Sequence, residues 1–522
     1  MIMRLCNTMK VECPNRSIVR ELYVMLLVVM LIGTILRMYQ LSSESLWYDE
    51  IRSIRYVKQG FLTILLRPYT IPPLYHILLK LWSGCFGYSP YSLRLLSVIF
   101  SILSIALIFK LGKVLYDERT GLYSAFLLAI SPLHIFYAQE TRNFSLAVFL
   151  TLLTVLSFIN LLIYRRKRDY VYFSVCEILL LLTHYYAPFL VVCLNAYFLV
   201  EIKNKKDRAG WLVSQSLVAA LFLPFAVMLI RNWGTIRKFG IFWLKNPPFF
   251  KTAIATLETF GFGGKGFGGD DIYLEANLIR GPRLCFYLVV AFGLCAFFIF
   301  LVRRLRKIRE NFGGQANLMF FGAEGKNRRG TLLTLWLFGP TLLPLLFSIV
   351  CSPIYIIRHT IIALPAYCLL IARGISSIKR PLTRILITAT ILLMSFSMLL
   401  VYYTHDVKVP WNAIVNNIKG AMNTDTLIIY NPKHVKAEIE FYFPHHPTFA
   451  YEALKEATQD NKGSLLSLIG SRSVLLIDFF PRWNCPEVVS SIGDLLVNKW
   501  YKAREGSWGK VYIAYYQYRG DE

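Results

Sequence analysis

Apolar runs of about 17–25 residues, each long enough to cross a hydrocarbon core, recur from Leu22 to Tyr403. A chain with that pattern folds as a polytopic bundle of membrane helices, because inside lipid every backbone N–H and C=O must be satisfied within the segment. About eleven candidates are counted, at 21–39, 92–111, 120–137, 144–164, 171–184, 186–201, 210–231, 284–302, 331–350, 360–372 and 385–403. Those at 171–184 and 186–201 are short. Basic residues precede the first run and no small-residue cleavage pattern follows it, so it reads as a retained anchor. Charged residues are 17 % of the chain, against roughly 25 % in soluble domains.

A formal charge of +26 in a soluble protein would suggest nucleic acid. Its distribution here argues against that partner. Arg165–Arg168, Lys203–Arg208, Arg303–Arg309, Lys326–Arg329 and Arg373–Arg384 fall in alternate loops. That is the positive-inside pattern, and it places those loops in the cytoplasm, where they also attract anionic lipid headgroups. The loops carrying Trp47–Glu50, 232–283 and 351–359, and everything after about 404, are then expected outside the cytoplasm, in a multi-pass protein of the plasma membrane. The ten cysteines show no CxxC or metal-like spacing, and no disulfide framework is expected.

Two domains are expected. Residues 1–403 form the all-α membrane domain, with outward loops 41–91 and 232–283. Residues 404–522 form a small outward-facing α/β domain, since strand-like runs at Leu427–Tyr430, Val474–Ile477 and Val511–Ala514 alternate with helix-like pieces at 411–421, 433–442 and 486–496. No nucleophile, metal or Gly-rich signature stands out in that tail. Within 41–91, Ile51, Ile54, Phe61, Leu62 and Leu65 recur at helical spacing, and 74–82 repeats the pattern after Pro72-Pro73. Helices lying in the membrane interface and helices packed on neighbouring spans give this same periodicity. The glycine-rich run 261–271 has no preceding strand and no GKS/T, so it reads as a surface loop or a cover over a site.

Ionisable groups are costly in a bilayer, so their placement is informative. Asp49 and Glu50 follow the first span, Arg94 opens the second, and Glu140 and Arg142 sit in the turn before the fourth. His184 lies between the two short spans, and Arg358-His359 precedes the tenth. Five loops thus bring polar groups to one depth. Taken singly, Asp49 also reads as a helix cap, Arg94 and Arg358 as lipid-phosphate anchors, and His184 as part of an aromatic belt. Glu177, inside a span, has no reading. A sugar on a polyprenyl phosphate has its reactive bond at that same depth. Its transfer needs a carboxylate to take a proton from the acceptor hydroxyl, and cations to hold the departing phosphate.

The motifs Trp47-Tyr48-Asp49-Glu50, Pro72-Pro73-Leu74-Tyr75, Ser92-Leu93-Arg94, Tyr137-Ala138-Gln139-Glu140-Thr141-Arg142-Asn143, Thr183-His184-Tyr185-Tyr186 and Pro353–His359, in that order, resemble polytopic glycosyltransferases of the GT-C fold. The nearest group is that of protein O-mannosyltransferases and lipid A aminoarabinose transferases, over roughly residues 20–405. The resemblance implies a polyprenyl-phosphate-sugar donor, a hexosyl or pentosyl group transferred with inversion, and a protein, lipid or polysaccharide acceptor. It implies Asp49 and Glu50 as the catalytic acidic pair, with Asp49 the base or acceptor-orienting group, and Arg94, Glu140, Arg142, His184 and Arg358 as the donor site. Some relatives use a divalent metal and others none, which makes Asp49, Glu140 and His184 candidate ligands. Two other readings stay open: a flippase for lipid-linked saccharides, with polar groups along a path through the bilayer, and a non-catalytic assembly protein.

Overall fold

A computed structural model describes residues 16–66, 72–237, 247–263, 323–405, 407–431, 435–450, 469–479, 496, 499–508 and 511–519. The expected span 284–302, the helix-like piece 486–495 and most of the glycine-rich run lie outside them. The chain divides into two compact units, one of residues 1–41 and 59–401, the other of residues 42–58 and 402–522.

Among the described residues the first unit has seven helices long and apolar enough to cross a membrane. They are Arg20–Met38, Pro90–Leu115, Phe144–Tyr164, Lys205–Arg231, Arg328–Val350, Ile357–Ser377 and Pro381–Thr404. An eighth is broken: Glu118–Ala129 and Pro132–Ala138 meet at 59°. Pro132 causes the break, because it has no N–H to continue the ladder and its ring excludes the preceding turn. The two short expected spans form the helices Lys167–Leu181 and Ala187–Glu201, 15 residues each, below the roughly 20 that a full crossing needs. The unit is therefore helical and membrane-capable as expected.

Helix contacts in this unit follow from small residues and buried polar pairs. A Cβ on Gly112 would lie 2.7 Å from Gly121 Cα, and one on Gly121 would lie 2.5 Å from Phe109 O, so Pro90–Leu115 and Glu118–Ala129 touch backbone to backbone. Glu177, without a reading in the sequence, accepts from Gln215 Nε2 at 2.8 Å and joins Lys167–Leu181 to Lys205–Arg231. The basic loops are tied to one another. Arg165 pairs with Asp207 at 3.1 Å, Arg328 with Glu201 at 2.7 Å, and Arg373 with Asp117 at 3.0 Å. Those loops gather at one end of the helices. The turns bearing residues 139–143 and 183–186 gather at the other ends of the same helices.

The second unit is α/β. Its five strands are β1 (Leu427–Asn431), β2 (Thr448–Ala450), β3 (Val474–Phe479), β4 (Trp500–Trp508) and β5 (Val511–Tyr518), in spatial order β2-β1-β3-β5-β4. β1 runs parallel to β2 and β3, with Ile429 opposite Phe449 and Leu476, while β5 is antiparallel to β3 and β4. Alternation puts Ile428, Tyr430, Leu475 and Ile477 into one core with Trp411 and Ile414, and Leu427, Ile429, Val474 and Leu476 into another with Trp500. Both faces are covered, so the parallel strands read as unbroken apolar runs.

Residues 42–58 group with this second unit, whereas the sequence has them in a loop of the membrane domain. The helical pattern 51–65 splits at Gln59-Gly60. Ile51 and Ile54 are buried in the helix Tyr48–Val57, while Phe61, Leu62 and Leu65 are exposed in the separate helix Phe61–Leu66. The first half is packed within the C-terminal unit, and the second leaves those three apolar residues exposed.

Candidate functional site

The acidic segment is built by the second unit. The helix Tyr48–Val57 starts at an extended Trp47 with no side-chain cap, and Asp49 and Glu50 stand in its first turn. Asp49 is therefore not the N-cap; a carboxylate there is favoured by the positive end of the helix dipole. The C-terminal residues hold this segment at several points. Tyr442 OH donates to Leu46 O at 2.9 Å, Asn412 N to Ser45 Oγ at 2.9 Å, and Val407 N to Glu44 Oε1 at 3.3 Å. Arg55 Nη2 donates to Ala437 O at 2.8 Å and pairs with Glu440 at 3.1 Å. The last contact is between side chains 41 % and 37 % exposed, so geometry rather than energy is its contribution.

The two adjacent acids have different surroundings. Glu50 is fully buried and 3.1 Å from Lys408 Nζ, itself 4 % exposed; Glu44 lies 3.6 Å from the same ammonium. Asp49, 8 % exposed, is near enough to Glu438 for its charge to act there. Burial, then the Asp49 charge, push the Glu438 carboxyl up to about 8, against the opposing effects of a backbone hydrogen bond and Arg55.

In the first unit the other predicted residues lie around the broken helix. The break orphans the Leu128 and Ala129 carbonyls, and Arg37 takes both, with Nη2 at 3.1 Å and Nη1 at 2.9 Å. The same guanidinium donates to Gly33 O at 2.8 Å and Ser101 Oγ at 2.6 Å, and lies 3.0 Å from His134 Nδ1. Sequence reasoning missed Arg37; its signal is an arginine inside an otherwise apolar run. The turn that follows is fixed on all sides. Gln139 Nε2 donates to Arg37 O and Tyr39 O at 3.0 and 2.7 Å, Asn143 Nδ2 to Thr183 O at 2.5 Å, and Ser97 Oγ to Arg142 O at 3.3 Å. Glu140 and Arg142 are presented, both buried, by this turn.

Arg142, His184 and His359 come together about one aromatic ring, that of Phe144. The Arg142 guanidinium lies 5.8 Å from the Phe144 centroid, and the His184 and His359 rings lie 6.0 and 5.5 Å from it. Arg142 and Arg358 are both near enough to act electrostatically on His359. Tyr186 OH donates to Ile354 O at 3.0 Å and accepts from Ile356 N at 2.8 Å, which pins the segment before Arg358. Tyr186 N donates to His184 Nδ1 at 3.2 Å, so a neutral His184 carries its proton on Nε2, facing His359 Nδ1 at 3.4 Å. That chain leaves the His359 proton on Nε2. Arg94 is engaged with the backbone, Nη1 donating to Leu41 O at 2.9 Å, at the start of the helix whose Ser97 supports the 139–143 turn. His359 and Tyr186 are part of the quoted motifs, but spacing alone does not separate them from their neighbours.

The donor set is suited to an anion: two guanidiniums and an imidazole N–H. Among the described residues no group of three His, Cys, Asp or Glu side chains converges as a metal-ligand set.

Residues 70–228 match the family model described as dolichyl-phosphate-mannose-protein mannosyltransferase. No curated protein sequence matches the chain significantly. Among solved structures, ArnT from Cupriavidus metallidurans in the apo state aligns over 94 % of this chain and 97 % of its own, with TM-score 0.55 and 10 % identity. The same protein bound to undecaprenyl phosphate aligns over the same shares, with TM-score 0.54 and 11 % identity. The oligosaccharyltransferase AglB from Archaeoglobus fulgidus is more distant, at TM-score 0.47 and 13 % identity over 97 % of this chain and 75 % of its own. The chain therefore has the GT-C fold of ArnT that its motif order implies, with the mannosyltransferase family model matching its residues 70–228.

Proposed function

We propose that this chain is an integral membrane glycosyltransferase that moves a hexosyl or pentosyl group from a polyprenyl phosphate to an acceptor hydroxyl outside the cytoplasm. The observation that carries the reading is the gathering of Arg142, His184 and His359 around Phe144, with Arg358 near enough to act electrostatically on His359. Guanidinium forks match phosphate oxygens in pairs, and an imidazole N–H adds a third donor. Support also comes from the mannosyltransferase family description and from the undecaprenyl phosphate bound by ArnT.

In the proposed reaction Asp49 accepts the proton of the acceptor hydroxyl as its oxygen attacks the anomeric carbon. The bond from that carbon to the phosphate oxygen breaks, and the polyprenyl phosphate leaves with the electron pair. One displacement inverts the anomeric centre. Arg142, Arg358 and His359 stabilise the charge that gathers on the leaving phosphate, Glu140 orients the sugar, and Arg94 holds the neighbouring turn. Glu50, ion-paired with Lys408, positions the segment rather than moving protons. The linked basic loops give the cytoplasmic end. A protein, lipid or polysaccharide hydroxyl serves as acceptor. A flippase path has less support, since the helix Ala323–Val350 continues through Pro340 and Pro344, and Lys205–Arg231 through Pro224.

The test is mass spectrometry of cell-surface glycans, glycolipids and glycoproteins in cells with the gene, without it, and with Asp49→Asn. One glycan should disappear in the last two. An unchanged profile in the deletion removes the proposal.

A further inference from the structure

The helix Pro73–Phe86 starts against both turns of the anion site. Pro72 and Pro73 set that start, since a proline at the first helical position needs no N–H partner. The next N–H, that of Leu74, is another that a helix start leaves without an internal acceptor, and it donates to Leu182 O at 3.1 Å, just before the turn of His184. One residue on, Tyr75 is fully buried, and its hydroxyl lies 3.1 Å from Ser97 Oγ. Ser97, also fully buried, has a single hydroxyl proton and donates it to Arg142 O at 3.3 Å. The bond between the two hydroxyls therefore runs from Tyr75 to Ser97. A one-way chain results, from the Tyr75 O–H through Ser97 Oγ to the Arg142 carbonyl.

We infer that Tyr75 is a positioning residue for Arg142, acting through Ser97 to fix the backbone from which the guanidinium reaches the donor's phosphate. The inference rests on the reading of Arg142 as a phosphate ligand. Residues 139–143 lie between two helices, so no ladder holds them. Arg142 has both backbone groups anchored instead, its N donating to Glu140 O at 2.8 Å and its O accepting from Ser97. With both groups fixed the Cα–Cβ bond has one direction, and the guanidinium it leads to stands 5.8 Å from the Phe144 centroid. A hydroxyl that accepts from Tyr75 is the stronger donor to Arg142, because successive hydrogen bonds polarise one another, and more so when buried. Asn143 Nδ2, donating to Thr183 O, joins this turn to that of His184. Leu74 and Tyr75 thus brace, from one helix start, the two turns that Asn143 links.

The experiment uses the full chain in lipid nanodiscs with undecaprenyl phosphate as the probe, so the sugar need not be known. Tyr75→Phe keeps the ring and deletes the hydroxyl, and should weaken binding by about two- to tenfold, the range of one hydrogen bond. Ser97→Ala should weaken it at least as much, and Tyr75→Phe/Ser97→Ala should bind no worse than Ser97→Ala alone. Added to Arg142→Ala, Tyr75→Phe should cost nothing more. A Tyr75 that only packs gives the opposite pattern: its loss multiplies with that of Ser97 and persists without Arg142. Either of those results, or wild-type binding by Tyr75→Phe, overturns the proposal. Hydrogen exchange without the probe reads the backbone itself. The peptide 139–147 should exchange faster in both single variants than in the wild type, and the double variant should match Ser97→Ala; exchange unchanged in both overturns the proposal. Should Ser97→Ala fail to accumulate, Tyr75→Phe with and without Arg142→Ala decides alone. Unaltered affinity in Arg142→Ala refutes the anion-site reading instead, and the exchange arm still decides whether Tyr75 holds the turn.

Discussion

Lys408 and Glu50 offer the sharpest energetic test of how the acidic segment is held. Replacing Lys408 with Met leaves the fully buried Glu50 carboxylate without an ammonium that now lies 3.1 Å away. Removing one partner of a buried pair costs roughly 3–5 kcal/mol, most of it the penalty of the stranded charge. The reverse change, Glu50→Gln, should cost less, because Lys408 keeps Glu44 at 3.6 Å as a second carboxylate. The double variant Glu50→Gln/Lys408→Met removes the stranded charge and should recover most of the loss. Hydrogen exchange followed by mass spectrometry reads this directly in peptides spanning Tyr48–Val57. At 1.4 kcal/mol per factor of ten, Lys408→Met should speed exchange there by roughly two to three-and-a-half orders of magnitude. The double variant should exchange far more slowly than Lys408→Met. An acceleration under about tenfold in Lys408→Met, or a double variant no slower than the single, refutes the stranded-charge argument.

Asp49→Asn should lower transfer by roughly 10²–10⁴ without loss of folded chain, measured by glycan mass spectrometry, since a general base contributes that much. Arg142→Ala and Arg358→Ala should each raise the apparent KM for the lipid-linked donor in a reconstituted assay; an unchanged value for both would take them out of the phosphate site. Arg37→Met should destabilise the membrane unit by roughly 2–6 kcal/mol, because it orphans the Leu128 and Ala129 carbonyls, each worth about 1–3 kcal/mol when buried; thermal unfolding in detergent would show it. Glu438 carries a sign as well. Its carboxyl sits at about 8 when folded, above its ordinary 4.5. The folded unit therefore binds a proton that the unfolded chain has released over that interval. The stability this proton lends is complete below about 4.5 and falls away as pH rises toward about 8. Glu438→Gln should flatten that slope in the hydrogen exchange of β1 and β3.

The apolar period alone determined that the chain is a helical membrane protein, because span length and the need to satisfy the backbone in lipid leave few alternatives. Strand-like alternation likewise disclosed the α/β unit, since β1 and β3 bury both faces and read as continuous apolar runs. What stayed hidden was everything set by contacts distant in the chain. Asp49 and Glu50 are neighbours with the same charge, and the ion pair that holds Glu50 comes from Lys408, 358 residues on. Arg37 looks like an error in an apolar span until Pro132 breaks a helix whose carbonyls need its guanidinium. The period of 51–65 predicts one amphipathic piece, yet its halves belong to different units, because a hydrophobic period records that a face is buried and not what buries it.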